Sequence, residues 1–193
     1  MQFTPTALPE VILIEPRVFG DDRGFFMETY SRRVFAENGI DLEFVQYNHS
    51  HSSRDTLRGL HYQVEHPQAK LVRAVLGTVY DVVVDIRHGS PTFGRWIGVE
   101  LSATNRRMLF VPVGFAHGFC VISATADVIY ACSDYYHPAG ERGLIWNDPD
   151  LNISWPTPAP LLSPKDQRNL QLKDLPADFT FHPRPGRSAQ QGK

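Results

Sequence analysis

Cysteine is scarce in this sequence, with only Cys120 and Cys132 among 193 residues. Two cysteines at this length do not make the disulfide framework of a small secreted protein. Both lie in apolar or β-rich runs, where we expect buried free thiols. The first ten residues, MQFTPTALPE, lack the basic stretch and apolar core of a secretory signal. No apolar run approaches the ~20 residues of a membrane-spanning helix, so we expect a soluble, cytoplasmic protein without a membrane partner.

The sequence also lacks an excess of charge, since 19 Lys and Arg residues face 21 Asp and Glu residues, a formal net charge of −2. This balance argues against bulk electrostatic binding of nucleic acid. It leaves open one small anionic ligand in a local basic pocket. The chain is 42% hydrophobic and contains 14 Gly and 15 Pro residues, a composition typical of a turn-rich globular protein rather than a collagen-like or disordered one.

Short apolar segments rich in Val, Ile, Phe and Tyr are separated by Gly, Pro, Asn and Asp along most of the chain. Many short strands with such spacing are typical of β-sandwiches, barrels and jelly rolls. We predict one all-β domain over residues 1–181 and a disordered polar tail over residues 182–193. Short helices are predicted over 31–38, with Ser31 as N-cap and Gly39 beyond the end, and near 164–170. Strands are predicted at 11–19, 25–30, 44–49, 57–63, 70–76, 79–86, 96–101, 107–113, 118–122 and 127–135.

Polar side chains occur on strand faces that are otherwise apolar or mixed. Alternate residues of a strand face the same side, so Gln46 and Asn48 form one polar wall. His61, Lys70 and Tyr130 are each explained singly by a structural role, such as a hydrogen-bonded core histidine or a lysine that reaches the rim. Buried together, such groups need partners or carry function. Their coincidence favours a functional site.

The segment Pro112-Val113-Gly114-Phe115-Ala116-His117 resembles the second motif of the cupin superfamily, whose fold is a double-stranded β-helix, or jelly roll. In metal-binding cupins this His joins an H-x-H pair and an acid from the first motif. The matching segment here reads His61-Tyr62-Gln63, without the second imidazole, which weakens the case for a metal. His49-Ser50-His51 has the H-x-H spacing, but it precedes the motif and has no fitting acidic partner. We therefore predict no metal.

Seven segments, in order, resemble the dTDP-4-dehydrorhamnose 3,5-epimerase family between about Leu8 and Phe179. The resemblance implies a cupin jelly roll with a few short helices, and a homodimer with exchanged N-terminal strands. It rests on GDDRGFF at 20–26, LRGLHYQ at 57–63, KLVR at 70–73, DIR at 85–87, PVGFAHGF at 112–119, YY at 135–136 and LSPKD at 162–166.

Enzymes of this family invert C3 and C5 of dTDP-4-keto-6-deoxyglucose, both next to the C4 ketone, and yield dTDP-4-keto-L-rhamnose. The resemblance implies that His61 is the base, with Asp166 as its partner, and that Tyr130 is the proton donor on the opposite face. Lys70 is the candidate that stabilises the enolate at O4. Such proton transfer requires no cofactor and no metal.

The resemblance also implies a set of residues that bind the dTDP-sugar substrate. Arginines 23 and 58 would hold the diphosphate, and Tyr136 would stack on the thymine. Strand alternation places Arg58 and His61 on opposite faces of the same strand. Both side chains can therefore reach one ligand only if a strand end or a bulge lies between them. The implied binding residues are Arg23, Phe26, Glu28, Gln46, Asn48, Arg58, His117, Tyr136, Glu141 and Lys165.

One departure from the family is Ala131, where a Lys often follows the acid Tyr; we expect this position to face away from Tyr130. Four other functions remain open on the sequence. They are an epimerase that acts only at C3 or only at C5, a ketoisomerase of related cupin fold, a non-catalytic nucleotide-sugar binder, and a metal-dependent cupin oxygenase.

Overall fold

Two antiparallel sheets face each other in the computed structural model, which describes residues 1–183. The first sheet has six strands, in the order β1 (Gln2–Pro5), β2 (Ile12–Glu15), β10 (Met108–Val111), β7 (Lys70–Leu76), β12 (Thr125–Cys132) and β5 (Gln46–Ser53). The second has five, in the order β13 (Glu141–Gly143), β6 (Leu57–Gln63), β11 (Phe115–Val121), β8 (Thr78–Asp85) and β9 (Trp96–Ser102). A separate hairpin pairs β3 (Val18–Asp21) with β4 (Gly24–Met27).

The main core lies between the two sheets, because the inward side chains of both are apolar. Val72 and Val128 of the six-stranded sheet share one buried cluster with Val83 and Phe119 of the five-stranded sheet. A second cluster covers the outer face of the six-stranded sheet, where α1 (Arg32–Glu37) buries Phe35. No helix in residues 1–183 is long and apolar enough to cross a membrane. The all-β jelly-roll prediction is confirmed.

Most predicted strands are present, and the differences have local causes. The bounds of β6 and β7 are those predicted. Segment 11–19 is two strands, β2 and β3, with Pro16 between them, because proline cannot donate a hydrogen bond to a sheet. The strand predicted at 118–122 starts earlier, at Phe115, so His117 lies inside β11. Strands β1 and β13 were not predicted.

The two predicted helices are shorter than expected. The first is α1, whose N-cap Ser31 is extended but makes no side-chain hydrogen bond to the helix. The second is a single 3₁₀ turn over Asp166–Arg168. Two more 3₁₀ turns occur at Pro138–Gly140 and Leu172–Asp174. The predicted tail at 182–193 lies outside the described residues except for its first two positions.

A buried ion pair closes one end of β8. Asp85 is fully buried, and Arg87 donates to its two carboxylate oxygens at 2.9 and 2.7 Å. The hydroxyl groups of Ser90 and Thr92 each donate to Asp85 at 2.6 Å. Burial raises the pKa of Asp85, but the hydrogen bonds from Arg87, Ser90 and Thr92 outweigh burial and lower it overall. The carboxylate is therefore held ionised inside the protein.

Arg87 also joins three distant parts of the chain. Its guanidinium donates to Glu10 at 3.0 Å and lies over the Phe115 ring at the start of β11, 4.3 Å from the ring centroid. Phe181 faces the same guanidinium at 5.1 Å. Through Phe115, Arg87 anchors the first residue of β11, the strand that carries His117.

We predict that Arg87→Leu lowers the free energy of unfolding by about 3–5 kcal/mol, because it leaves the Asp85 carboxylate buried without its cation. Urea denaturation at neutral pH measures the change. Arg107→Leu is the matched control, since Arg107 pairs with Glu15 at 3.0 Å but both side chains are about two-fifths exposed; its loss should stay below about 1 kcal/mol. Equal losses in the two variants would contradict the prediction.

Candidate active site

A cavity with two lobes opens between the sheets, and His61, Lys70, Tyr130 and Glu141 line both lobes. One lobe, of about 300 Å³, is rich in amides, and we call it the amide lobe; the other, of about 280 Å³, is the cationic lobe. Gln46, Asn48, Tyr62, Gln63, Gln68 and Tyr136 complete the amide lobe. Ser50, Arg58, His117, Gly118, Phe119, Ser163, Lys165 and Asp166 complete the cationic lobe.

His61 forms a tight pair with Asp166 from the 3₁₀ turn near the end of the chain. His61 Nε2 donates to Asp166 Oδ1 at 2.5 Å, and Ser163 Oγ donates to the other carboxylate oxygen at 2.8 Å. Asp166 is buried, which raises its pKa, but the hydrogen bonds from His61 and Ser163 outweigh burial and lower it overall. An ionised carboxylate in this position fixes the orientation of the imidazole and stabilises its protonated form.

A bulge in β6 brings Arg58 and His61 to the same cavity. His61 pairs with His117 of β11, whereas Arg58 pairs with Phe119, so β6 has one residue more than β11 between these points. Gly59 lies inside the bulge with φ of 123°, in the region that favours glycine. The bulge that strand alternation requires is therefore present, and Arg58 and His61 both line the cationic lobe.

Tyr130 and Lys70 lie on the opposite wall, on the neighbouring strands β12 and β7 of the six-stranded sheet. Burial raises the pKa of Tyr130, so its phenol stays protonated. Burial lowers the pKa of Lys70, while Cys132 and the carboxylates of Asp81 and Glu141 act in the opposite direction. The cavity thus has an imidazole on one sheet and a phenol and an amine on the other.

Asp81 is a site residue that the sequence analysis missed. His117 Nε2 donates to its carboxylate, 2.9 and 3.0 Å from the two oxygens, and both residues are buried. The sequence does contain a pattern that indicates a buried role for Asp81, because strand alternation puts it on the same face as Val79 and Val83. A carboxylate on an apolar face needs a buried partner.

Glu141 connects two of the predicted binding residues. Lys165 Nζ donates to Glu141 Oε1 at 2.5 Å, and the Tyr136 hydroxyl donates to Oε2 at 2.8 Å. Burial raises the pKa of Glu141, but the hydrogen bonds from Lys165 and Tyr136 outweigh burial and lower it. On the amide wall, Gln46 Nε2 donates to Asn48 Oδ1 at 3.0 Å, and the two residues share the predicted face of β5.

Three predicted binding residues do not reach this cavity within one chain. Arg23 and Phe26 lie on the β3–β4 hairpin, with 89% of the Arg23 side chain and 70% of Phe26 exposed, and line a separate cavity of about 330 Å³. Arg23 Nη2 donates to Asp21 at 2.5 Å. Glu28 follows the hairpin and is exposed. The other eleven predicted site residues all line the two lobes.

The H-x-H segment does have an acidic partner, and the contrary sequence interpretation is wrong. His49 Nε2 donates to Asp127 at 3.0 Å, and His51 contacts the other oxygen of the same carboxylate. Asp127 lies 78 residues from His49, so only strand pairing reveals the contact. Both histidines face outward, opposite to Asn48. In the part of the chain that the structure describes, no group of three His, Cys, Asp or Glu side chains is placed to hold a metal ion.

Ala131 faces away from Tyr130, as expected. It is buried in the cluster on the outer face of the six-stranded sheet, with Phe35 and Leu71. Its methyl group does not line either lobe.

Comparison with known proteins agrees with this geometry. The family described as dTDP-4-dehydrorhamnose 3,5-epimerase matches residues 5–174. The chain belongs to this family. A Pseudomonas aeruginosa enzyme of that name is 56% identical over 176 residues, covering 90% of this chain and 97% of its own length. A Neisseria gonorrhoeae relative of the same name is 60% identical over 167 residues, 86% of this chain, but this chain spans only 51% of that protein.

The fold of the family is equally clear in a solved structure. The crystal structure of a Legionella pneumophila dTDP-6-deoxy-D-glucose-3,5-epimerase in complex with dTDP-4-keto-L-rhamnose superposes with a TM-score of 0.92. It is 46% identical in sequence, and the match covers 94% of this chain and 99% of that chain. The family match at 5–174 includes every predicted site residue.

We predict that Gly59→Ala costs about 3–5 kcal/mol of folding free energy, because an added Cβ would lie 2.6 Å from Gly118 Cα and 2.8 Å from the His117 carbonyl oxygen, at a φ of +123°. Gly89→Ala is the matched control, since its φ is +80° but nothing lies within 4 Å of the added carbon; we expect a loss of about 1–2 kcal/mol. Chemical denaturation compares the two. A Gly59 variant as stable as the Gly89 variant would show that the bulge tolerates a side chain.

Proposed function

We propose that the chain is a cofactor-independent epimerase that converts dTDP-4-keto-6-deoxy-D-glucose to dTDP-4-keto-L-rhamnose by inverting C3 and C5. One observation carries the proposal. His61 of the five-stranded sheet, hydrogen-bonded to Asp166, faces Tyr130 and Lys70 of the six-stranded sheet across one cavity. Inversion of a carbon requires proton removal from one face and proton return to the other, and this arrangement supplies both.

The C4 ketone makes the protons on C3 and C5 acidic, so each can leave as a proton and generate an enolate. Because Asp166 accepts the hydrogen bond of His61 Nε2, Nδ1 is the nitrogen that takes the substrate proton. The Lys70 ammonium stabilises the negative charge on O4 as the enolate forms. Tyr130 then donates its phenol proton to the carbon from the opposite face, and exchange with solvent restores both groups before the second inversion.

The two lobes offer suitable groups for two parts of a nucleotide sugar, the diphosphate and the base. Arg58 and Lys165, with His117, give the cationic lobe donors for a diphosphate. The amide lobe has Tyr136, half-exposed and able to stack on a base, beside the polar side chains of Gln46 and Asn48. We assign the diphosphate to the cationic lobe and the thymine to the amide lobe.

A homodimer explains the three predicted binding residues that lie outside the cavity. The β3–β4 hairpin exposes Phe19, Phe25 and Phe26, an apolar surface on an element that pairs with neither main sheet. We propose that the hairpin of one subunit covers the cavity of a second copy. Arg23 and Glu28 would then reach the substrate bound by the partner.

The decisive experiment is incubation of the enzyme with the 4-keto substrate in deuterated water, followed by NMR. We expect deuterium at both C3 and C5. Deuterium at one carbon indicates a single-site epimerase, a 3-keto sugar indicates a ketoisomerase, and dTDP binding without exchange indicates a binding protein. Loss of turnover on iron chelation would instead indicate an oxygenase.

Variants identify the base in the same assay. His61→Ala should lower exchange by about 10²–10⁴-fold, the usual contribution of a general base, while dTDP still binds. Asp166→Asn should also slow exchange strongly. His49→Ala is the control, because His49 lies on the outer face of β5; exchange should be unchanged. Full exchange by His61→Ala would remove His61 from the mechanism.

We predict that inactive subunits complement each other if the hairpin completes the partner's site. After denaturation and refolding of an equal mixture of Arg23→Ala and His61→Ala chains, half of the dimers are mixed, and one of the two sites in each mixed dimer is intact. Activity should then reach about a quarter of the wild-type level. Activity no higher than the average of the two separate variants would show that each chain builds its site alone.

A further inference from the structure

The segment 134–137 carries Tyr136 to the amide lobe without the support of regular secondary structure. It lies between β12 and the 3₁₀ turn at Pro138–Gly140. The side chains of Tyr135 and Tyr136 are 65% and 50% exposed, so apolar packing contributes little to their position. Besides the bond from the Tyr136 hydroxyl to Glu141, hydrogen bonds to the backbone of the segment hold it.

Three glutamines supply these bonds, and each comes from a different part of the chain. Gln68 Nε2 donates to the Asp134 carbonyl at 2.8 Å, and Gln63 Nε2 donates to the Tyr135 carbonyl at 3.4 Å. The Tyr136 N–H donates to Gln46 Oε1 at 2.9 Å, and the His137 N–H donates to Gln63 Oε1 at 2.9 Å. Four consecutive residues are thus each bound by a glutamine side chain, a set that we call the glutamine clamp (Gln46, Gln63 and Gln68).

Gln63 is the centre of the clamp. It is buried on β6, two residues beyond His61, and its amide also donates to the His66 carbonyl at 2.8 Å. Both the oxygen and the nitrogen of this amide are therefore engaged by the protein backbone. This is the position where the metal-binding cupin pattern has its second imidazole. An amide here provides a donor and an acceptor on one rigid group, and the clamp uses both.

We propose that Gln63 and Gln68 are positioning residues. They fix the 134–137 backbone so that the Tyr136 ring is held, before the ligand binds, in the orientation in which it stacks on the nucleobase. They would set the affinity for the dTDP part of the substrate and not the rate of proton transfer. The inference rests on the proposed function in one respect, the assignment of the thymine to the amide lobe.

The physical basis is preorganisation. A tyrosine on an unrestrained segment must lose conformational freedom when the ligand binds, which weakens binding even though every ligand contact is kept. Because the clamp restricts the conformation of the segment when the protein folds, this loss of conformational freedom no longer weakens ligand binding. The reacting groups His61 and Tyr130 lie on strands that are hydrogen-bonded within the two main sheets, so a loosened clamp leaves their geometry intact.

The test replaces Gln63 by a side chain of similar length that cannot form these bonds. For Gln63→Met we expect the Kd for dTDP, measured by calorimetry, and the KM for the substrate to rise about tenfold, the effect of losing about one net hydrogen bond. The kcat should stay within about twofold of wild type. Gln171→Met is the matched control, because the Gln171 side chain does not line the cavity. It should leave the Kd for dTDP and the KM unchanged.

A double-mutant cycle shows whether Gln63 acts through Tyr136. In a Tyr136→Ala background, Gln63→Met should weaken dTDP binding no further. Equal weakening in both backgrounds would overturn the proposal, because Gln63 would then act by another route. A fall in kcat at unchanged KM would overturn it as well.

Gln68→Met keeps the proposal testable if the Gln63 variant does not fold. Gln68 lies between β6 and β7 and contributes one bond to the clamp, so its loss should raise the Kd for dTDP about threefold to fivefold; an unchanged Kd would overturn the proposal. The dTDP measurement needs no turnover. A wild-type protein that binds dTDP but exchanges no deuterium refutes the epimerase function alone, whereas normal exchange with an unchanged Kd in the Gln63 variant refutes the clamp alone.

Discussion

The close approach of two glycines, Gly59 on β6 and Gly118 on β11, is the constraint on which the rest of the site depends. Any Cβ at either position would collide with the backbone of the other strand, so the bulge requires both. The bulge inserts one residue between Arg58 and His61 and turns both side chains toward the cavity. Without the bulge, strand alternation would point one of these two side chains into the cavity and the other away from it.

The charges of the site are balanced locally, which is why the net charge of −2 gives no sign of them. Three of the five basic groups that line the cavity have their own carboxylate, in the pairs Lys165–Glu141, His117–Asp81 and His61–Asp166; Arg58 and Lys70 are the other two. These carboxylates are partly or fully buried, so they orient their partners in surroundings that screen charge weakly. Two of the hydrogen-bond donors proposed to bind the diphosphate, Lys165 and His117, are therefore already oriented by these carboxylates. Local pairing of this kind is invisible to whole-chain charge.

The sequence predicts the regular parts of the fold well and the long-range polar contacts poorly. The bounds of β6 and β7 follow from their apolar residues and flanking polar ones, whereas β13 has three residues and no apolar alternation to detect. Motif resemblance finds the eleven cavity residues. It does not find Asp81 or Gln63, because their partners, His117 and the 134–137 backbone, are brought to them only by sheet pairing and an irregular connection. Strand alternation can mark Asp81 as a carboxylate on an apolar face, but the partner of either residue depends on tertiary structure.

The two-layer architecture itself separates the proposed acid, Tyr130, from the proposed base, His61. His61 belongs to the five-stranded sheet, and Tyr130 and Lys70 belong to the six-stranded sheet, so a sugar ring between them presents opposite faces to the two walls. C3 and C5 both adjoin the C4 carbonyl, one on each side. In the proposed mechanism the ring turns about O4, so that C3 and C5 approach His61 one after the other while the enolate oxygen stays near Lys70. One pair of proton carriers can then serve two inversions, provided that the nucleotide end remains anchored while the sugar turns.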